Sequence, residues 1–325
     1  MTVVPTLARF DERLSESTER PEIVGTSRTA EKIGAIEIIE TIGATGAIDR
    51  SRSRPARLTG RSLPGPAFRT PVRVENSFIP VDGVGEKTER RLWEHGITRW
   101  DEFDGSVVGP TTADRIDAFV DRATDRLDAG DARFFDAAFP SAERWRLYES
   151  FRDEASYFDI ETTGLGHHAD VTTVSFHRDG ETRTLVRGRD LTAETLTAEL
   201  DRASLLVSYN GIRFDVPFLE RAFDRTIDVP HLDLMYPCKR LDLTGGLKSV
   251  ERQVDITRDR PDLSGRDAVR LWRRYERGDE DALETLVSYN RDDAANLALL
   301  AEILCDRLHD RVFAPVRGDV CEREV

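Results

Sequence analysis

The sequence predicts a mixed α/β domain, a central mixed sheet flanked by helices, preceded by a small all-α region and an N-terminal segment without regular structure. Three observations predict it. From Ala155 onward, three strand-like runs follow one another and then alternate with helical periods, which suits a mixed sheet better than a bundle. Between 72 and 153 the apolar residues recur at helical spacing. Residues 1–71 carry 11 basic and 9 acidic residues out of 47 and 61, so a slightly basic segment precedes a strongly acidic remainder.

The elements follow in order. Arg50 to Pro71 is rich in Arg, Ser, Pro and Gly and reads as disordered, with one short amphipathic helix expected before it at 31–42. An overextended reading frame is a second reading of the composition break near Val72, and residues 1–71 carry no recognisable chemistry. Amphipathic helices are expected at 112–130, on Ile116, Phe119, Val120 and Leu127, and at 141–153, on Trp145, Tyr148 and Phe151. Strands are expected at 155–161, 171–177 and 182–187, then a helix at 192–202 and a buried strand at 204–209. A helix at 215–224, a short strand at 231–235 and helices at 246–253, 265–276 and 279–309 complete the domain. The domains are therefore 1–71, the helical region 72–153, the α/β domain 154–310 and a flexible tail 311–325.

At 325 residues the chain has ample length for a core without disulfides or a structural metal. No apolar run is long enough for a membrane span, and Arg9, Asp11, Glu12 and Arg13 interrupt any signal-peptide core. Cys238, Cys305 and Cys321 are odd in number and far apart, which argues against a disulfide framework or a thiolate zinc site. A cytosolic location is expected. The net charge is −14 with only four lysines, Lys32, Lys87, Lys239 and Lys248. Such a surface suits concentrated salt and a halophilic archaeal source, although a GC-rich coding bias also replaces Lys by Arg. The acidity excludes a broad basic face for nucleic acid, so any such partner must be held by local devices.

The chemistry lies in three segments. In Asp159-Ile160-Glu161-Thr162-Thr163-Gly164-Leu165, Asp159 and Glu161 are two apart on a strand and share one face. Two carboxylates held that close are costly unless a cation sits between them. In Tyr209-Asn210-Gly211-Ile212-Arg213-Phe214-Asp215-Val216-Pro217, a strand ends and a helix begins, so Asp215 is either an N-cap or a site residue. In Tyr289-Asn290-Arg291-Asp292-Asp293, Tyr289 and Asp293 share one helix face while Asp292 points elsewhere.

In this order the segments resemble the DEDD superfamily of RNase H-fold exonucleases, with Tyr-x-x-x-Asp marking the tyrosine subgroup. The closer resemblance is to the predicted YprB-like exonucleases, over roughly residues 139–309. It includes Glu143-Arg144-Trp145, His231-Leu232-Asp233, Gly245-Gly246-Leu247-Lys248-Ser249-Val250-Glu251 and Asp267-Ala268-Val269-Arg270. The resemblance implies an RNase H-like fold and 3′→5′ hydrolysis of nucleic acid, DNA favoured over RNA. It implies that Asp159, Glu161, Asp215 and Asp293 hold two Mg²⁺ or Mn²⁺ ions, hard cations suited to oxygen ligands. The ions would activate water and stabilise the leaving 3′ oxygen, with Tyr289 orienting that water. A structure-selective endonuclease or ribonuclease on the same residues is the alternative, as is a catalytically silent nucleic-acid-binding scaffold.

Secondary candidates are Lys248, placed to grip a phosphate near a helix start, Asn210 in the turn before Asp215, and Asp233 as support. Phe214, Phe218 and Trp272 suit the core, and His167 and His168 the surface. Residues 79–98 resemble a helix-hairpin-helix, in which Gly83-Val84-Gly85 bring backbone N–H groups to a DNA phosphate and Lys87 adds a charge. A purely structural or protein-binding hairpin is the alternative. Glu89 departs from the small residue usual there and is expected to loosen the helix packing or repel a phosphate.

Overall fold

The computed structural model describes residues 72–166, 168–313 and 316. The helix expected at 31–42, His167 and most of the expected tail lie outside the described residues.

The described chain opens with one 3-10 turn, Val74–Asn76, and a loop leading to α1 (Glu86–Glu94), which has Gly85 as its N-cap. After α1, Gly96 turns the chain at φ +87°, a conformation that side chains disfavour. α2 (Pro110–Asp128) starts on a proline, whose missing N–H would have had no helical partner there. α3 (Ala132–Ala138), N-capped by the Asp131 carboxylate, is too short for its periodicity to show in the sequence.

The helix expected over 141–153 is broken. It consists of a 3-10 turn at Arg144–Leu147, the single turn α4 (Tyr148–Phe151) and another 3-10 turn at Arg152–Glu154. Trp145, Tyr148 and Phe151 are all buried. Their strict spacing of three suits the three-residue repeat of a 3-10 helix as well as an α-helical face, which explains the difference.

β1 (Ala155–Thr162), β2 (Val171–Arg178) and β3 (Glu181–Val186) form an antiparallel meander. Asp179 and Gly180, both at positive φ, make the two-residue turn that right-twisted strands favour. α5 (Ala193–Leu200) leads to β4 (Leu205–Ser208) and α6 (Asp215–Phe223) to β5 (His231–Asp233). β4 is parallel to β1 and β5 to β4, giving a five-stranded mixed sheet in the order β3-β2-β1-β4-β5. β5 stops at Asp233 because α7 (Met235–Arg240) begins where a longer strand was expected. α8 (Leu247–Gln253), α9 (Gly265–Tyr275) and α10 (Glu280–Val312) complete the fold, which is RNase H-like.

Alternation along β1 sorts its side chains. Phe158 and Ile160 pack with Val174, Leu206, Leu196 and Phe218 in the layer of α5 and α6. Tyr157, with Leu205 and Val207, packs against Leu297, Leu300, Leu304 and Leu308 of α10. That second cluster continues without a break into Phe78, Trp93, Ile116, Phe135 and Leu147, so the N-terminal helices and the sheet share one core. No helix of the described residues is long and apolar enough to cross a membrane.

Candidate active site

Asp159 and Glu161 continue the β1 face that Tyr157 begins, so they point toward α10. On α10, Asn290 and Asp293 continue the stripe of Leu297, Leu300, Leu304 and Leu308 at spacings of three and four. The sheet–helix interface is thus apolar along most of its length and carboxylate-lined at one end. Ligand oxygens of Asp159, Glu161 and Asp293 lie within 4.8 Å of one another. Asn290, fully buried, donates to Asp159 Oδ2 at 2.8 Å and accepts from Ser175 Oγ at 2.8 Å, so β2 and α10 together fix the Asp159 rotamer.

Asp215 stands beside this group at the first position of α6 rather than as its N-cap. Its Oδ1 accepts the Ile160 N–H at 3.2 Å, on the β1 residue between Asp159 and Glu161. The turn before it is tightly built. Asn210 sits at φ +65°, and a Cβ on Gly211 would lie 2.7 Å from that of Ser208. Asp233 accepts the N–H groups of Asn210 at 2.8 Å and Ile212 at 3.3 Å, which matches its expected supporting place.

Electrostatics follow from burial of like charges. Asp159 is raised well above the usual carboxylate range by burial, then by Asp293, Asp215 and Glu161. Glu161 is raised for the same reasons, opposed by Lys248 and Arg258. Burial pushes Asp215 up to about 7. Asp293 is also raised by burial, against the pull of Arg258. Tyr289 is held far above the ordinary phenol range by burial and then by Asp293, Glu161 and Asp159, so its hydroxyl stays protonated. Hard oxygen donors in surplus, packed at this spacing, suit Mg²⁺ or Mn²⁺, and Asp159, Glu161 and Asp293 could hold such an ion.

Two cations border the acids. Lys248 Nζ lies 4.6 Å from the centre of the Tyr289 ring and donates to the Leu263 carbonyl. The Arg258 side chain is 6% exposed and pairs with both Glu251 and Asp293. Arg258, Glu251 and Asn290 are site residues that the sequence reading missed. Asn290 left a signal in its place on the α10 stripe, and Glu251 closes one of the segments that carry the resemblance. Asp292 is not among the three converging carboxylates, is half-buried, and is pushed up to about 6 by burial and then by Asp259 and Asp293. Leu165, in the turn after Thr163-Gly164, is the exposed large hydrophobic residue of the described chain, at 84%. Phe218 and Trp272 are buried in the core, Phe214 is half-buried against it, and His168 is exposed.

The hairpin residues form a separate group. Gly83 takes φ +87°, Gly85 precedes α1 with open space around it, and Lys87 is exposed in the first turn of α1. The helix before the hairpin is the single 3-10 turn at Val74–Asn76. Glu89 corrects the sequence expectation. It is buried, accepts from Ser77 Oγ at 2.8 Å and Phe78 N–H at 2.9 Å, and pairs with Arg146 at 2.9 Å. It therefore fastens α1 rather than loosening it, and it is turned away from solvent.

Residues 156–305 match the RNase_H superfamily model RNase_H_2. A solved structure that the chain resembles is the family B DNA polymerase from the hyperthermophilic archaeon Pyrobaculum calidifontis. The likeness has 19% sequence identity and a TM-score of 0.39 over 46% of this chain. It spans 24% of the polymerase chain. No curated protein matches the sequence.

Proposed function

We propose that the protein is a metal-dependent 3′→5′ exonuclease of the tyrosine DEDD type, hydrolysing phosphodiester bonds in nucleic acid, with DNA the favoured substrate. The observation that carries this reading is the convergence of Asp159, Glu161 and Asp293, from a strand and a distant helix, to within 4.8 Å. Packing like charges against a core is costly, and a cation compensates that cost. Asp215 joins the set from the start of α6. Two divalent ions held by these residues would supply the water activation and charge neutralisation that in-line displacement at phosphorus requires.

The remaining roles belong to the chain itself. Tyr289, kept protonated, donates a hydrogen bond that orients water or a phosphate oxygen and does not act as a base. Asn290 keeps Asp159 aimed at the site. The Lys248 ammonium, over the Tyr289 ring, attracts the phosphate, and exposed Leu165 offers an apolar contact to a terminal base. Gly83, Gly85 and Lys87 hold a more distant phosphate through backbone N–H groups and one charge, while Asn210 shapes the turn before Asp215. Contacts of this kind are sequence-independent.

The test is digestion of 3′-labelled and 5′-labelled DNA and RNA oligonucleotides in concentrated KCl with Mn²⁺, comparing wild type with Asp293→Ala. Mononucleotides released from the 3′ end by wild type alone are expected. No cleavage of any substrate would refute the enzyme.

A further inference from the structure

We propose that Arg258 is a positioning residue that competes with the divalent cation for Asp293 and so sets the cation affinity of the acidic site. This rests on the cation-binding reading above. Arg258 belongs to the connection between α8 and α9, and its side chain is only 6% exposed. Its guanidinium divides its nitrogens unequally. Nε and Nη2 engage both oxygens of Glu251, the second at 2.9 Å, while Nη1 reaches Asp293 Oδ1. The fork on Glu251 is a complete bidentate pair without Asp293. Glu251 is independently fixed, because Asn296, three residues after Asp293 on α10, donates to its Oε1 at 3.1 Å.

Asp293 Oδ1 thus has two claimants. It belongs to the group of carboxylates that can share one cation, and it accepts a charge-assisted hydrogen bond from a guanidinium docked elsewhere. The fork on Glu251 holds the guanidinium beside Asp293, and Val254 and Ile256 bury the start of the connection in the core. The same connection supplies the Leu263 carbonyl that holds Lys248. One segment, residues 254–264, therefore places both positive charges at the site. A cation drawn to Asp293 works against the Arg258 hydrogen bond and against its charge, so this arrangement lowers affinity while keeping Asp293 in place.

The experiment is a Mn²⁺ titration of the full chain without nucleic acid, following free Mn²⁺ by electron paramagnetic resonance. Wild type is compared with Arg258→Gln, the double variant Glu251→Gln/Arg258→Gln, and Asp159→Asn. Arg258→Gln is expected to bind Mn²⁺ roughly tenfold more tightly, the scale of releasing one charge-assisted hydrogen bond from a ligand oxygen. The double variant removes one charge of each sign, so a gain that persists there reflects competition at Asp293 rather than net charge. Its paired amides also avoid a stranded buried carboxylate, so it decides the question if the single variant fails to fold. Wild-type binding that is lost in Asp159→Asn, with no gain in the double variant, overturns this proposal alone. No wild-type binding, or binding that survives in Asp159→Asn, overturns the cation reading and the proposal with it.

Discussion

Two groups of buried charges can be compared within this molecule. Where α1 meets the turn before α4, the Arg146 guanidinium is fully buried, donates to Glu143 at 2.8 Å and Glu89 at 2.9 Å, and lies over the Trp145 and Trp93 rings. Arg240 closes the far side of Glu143. Carboxylates and guanidiniums there balance. At the acidic site, the cations set against Glu161, Asp293 and Glu251 among the described residues are Arg258 and Lys248, while Asp159 and Asp215 add two further carboxylates. Balanced buried charge fastens parts together, whereas a buried surplus of one sign persists only where something else supplies the counter-charge. The difference sets the fastening apart from the proposed site.

The largest expected effect is on chemistry. Asp159→Asn should lower the rate of hydrolysis by about three orders of magnitude or more, since it removes a ligand that no other residue replaces. Its thermal midpoint should hold or rise, because one of the mutually repelling carboxyls becomes neutral. A stability loss comparable with that of an Arg146 variant would erase the distinction between the clusters. Arg146→Met should do the reverse. Stranding Glu89 and Glu143 without their partner should cost about 3–5 kcal/mol of stability in denaturant unfolding, with hydrolysis per folded molecule largely retained.

The same contrast explains what the sequence made legible. Asp159 and Glu161 show themselves because a strand has period two, and Tyr289 with Asp293 because a helix brings i and i+4 together. All five strands were expected within a residue or two of their bounds, since alternation is strongest where one face meets helices. Arg258 gave no local signal, because its meaning depends on Asp293, 35 residues beyond it. Glu89 misled for the same reason: its partner Arg146 is 57 residues away, and alone it looks like an acid in the wrong place. The 141–153 segment failed differently, because a spacing of three does not distinguish the two helix types.

Proton linkage sharpens the comparison next. Asp215 is raised to about 7 when folded, and Asp159 and Glu161 are raised too, while ordinary carboxylates titrate near ~4. Between those values the folded chain binds more protons than the unfolded chain, so the unfolding free energy falls as pH rises. With a chelator present, stability should therefore be greatest near pH ~4 to the extent of these groups and decline toward pH ~7. Asp215→Asn should flatten part of that slope. Added Mn²⁺ should remove more of it, because a bound cation replaces the protons. Denaturant unfolding at several pH values, with and without Mn²⁺, measures both. A slope unaffected by Asp215→Asn would assign the extra bound protons to Asp159 and Glu161 instead.

The smallest effect tests how far the fastening extends. Arg240 bridges Glu143 and Glu86, but its side chain is 21% exposed and Glu86 is 63% exposed. Removing it leaves Glu143 still paired with Arg146 at 2.8 Å and opens the remaining oxygen to water. Arg240→Ala should therefore cost only about 1 kcal/mol, the range of partly exposed pairs, against several for Arg146→Met. Double-mutant cycles in denaturant would separate the two. If Arg240 proved as costly as Arg146, the cluster would be a single cooperative network reaching the surface. The salt dependence of that cost decides the same point, because a rim pair weakens in concentrated KCl and a buried pair does not.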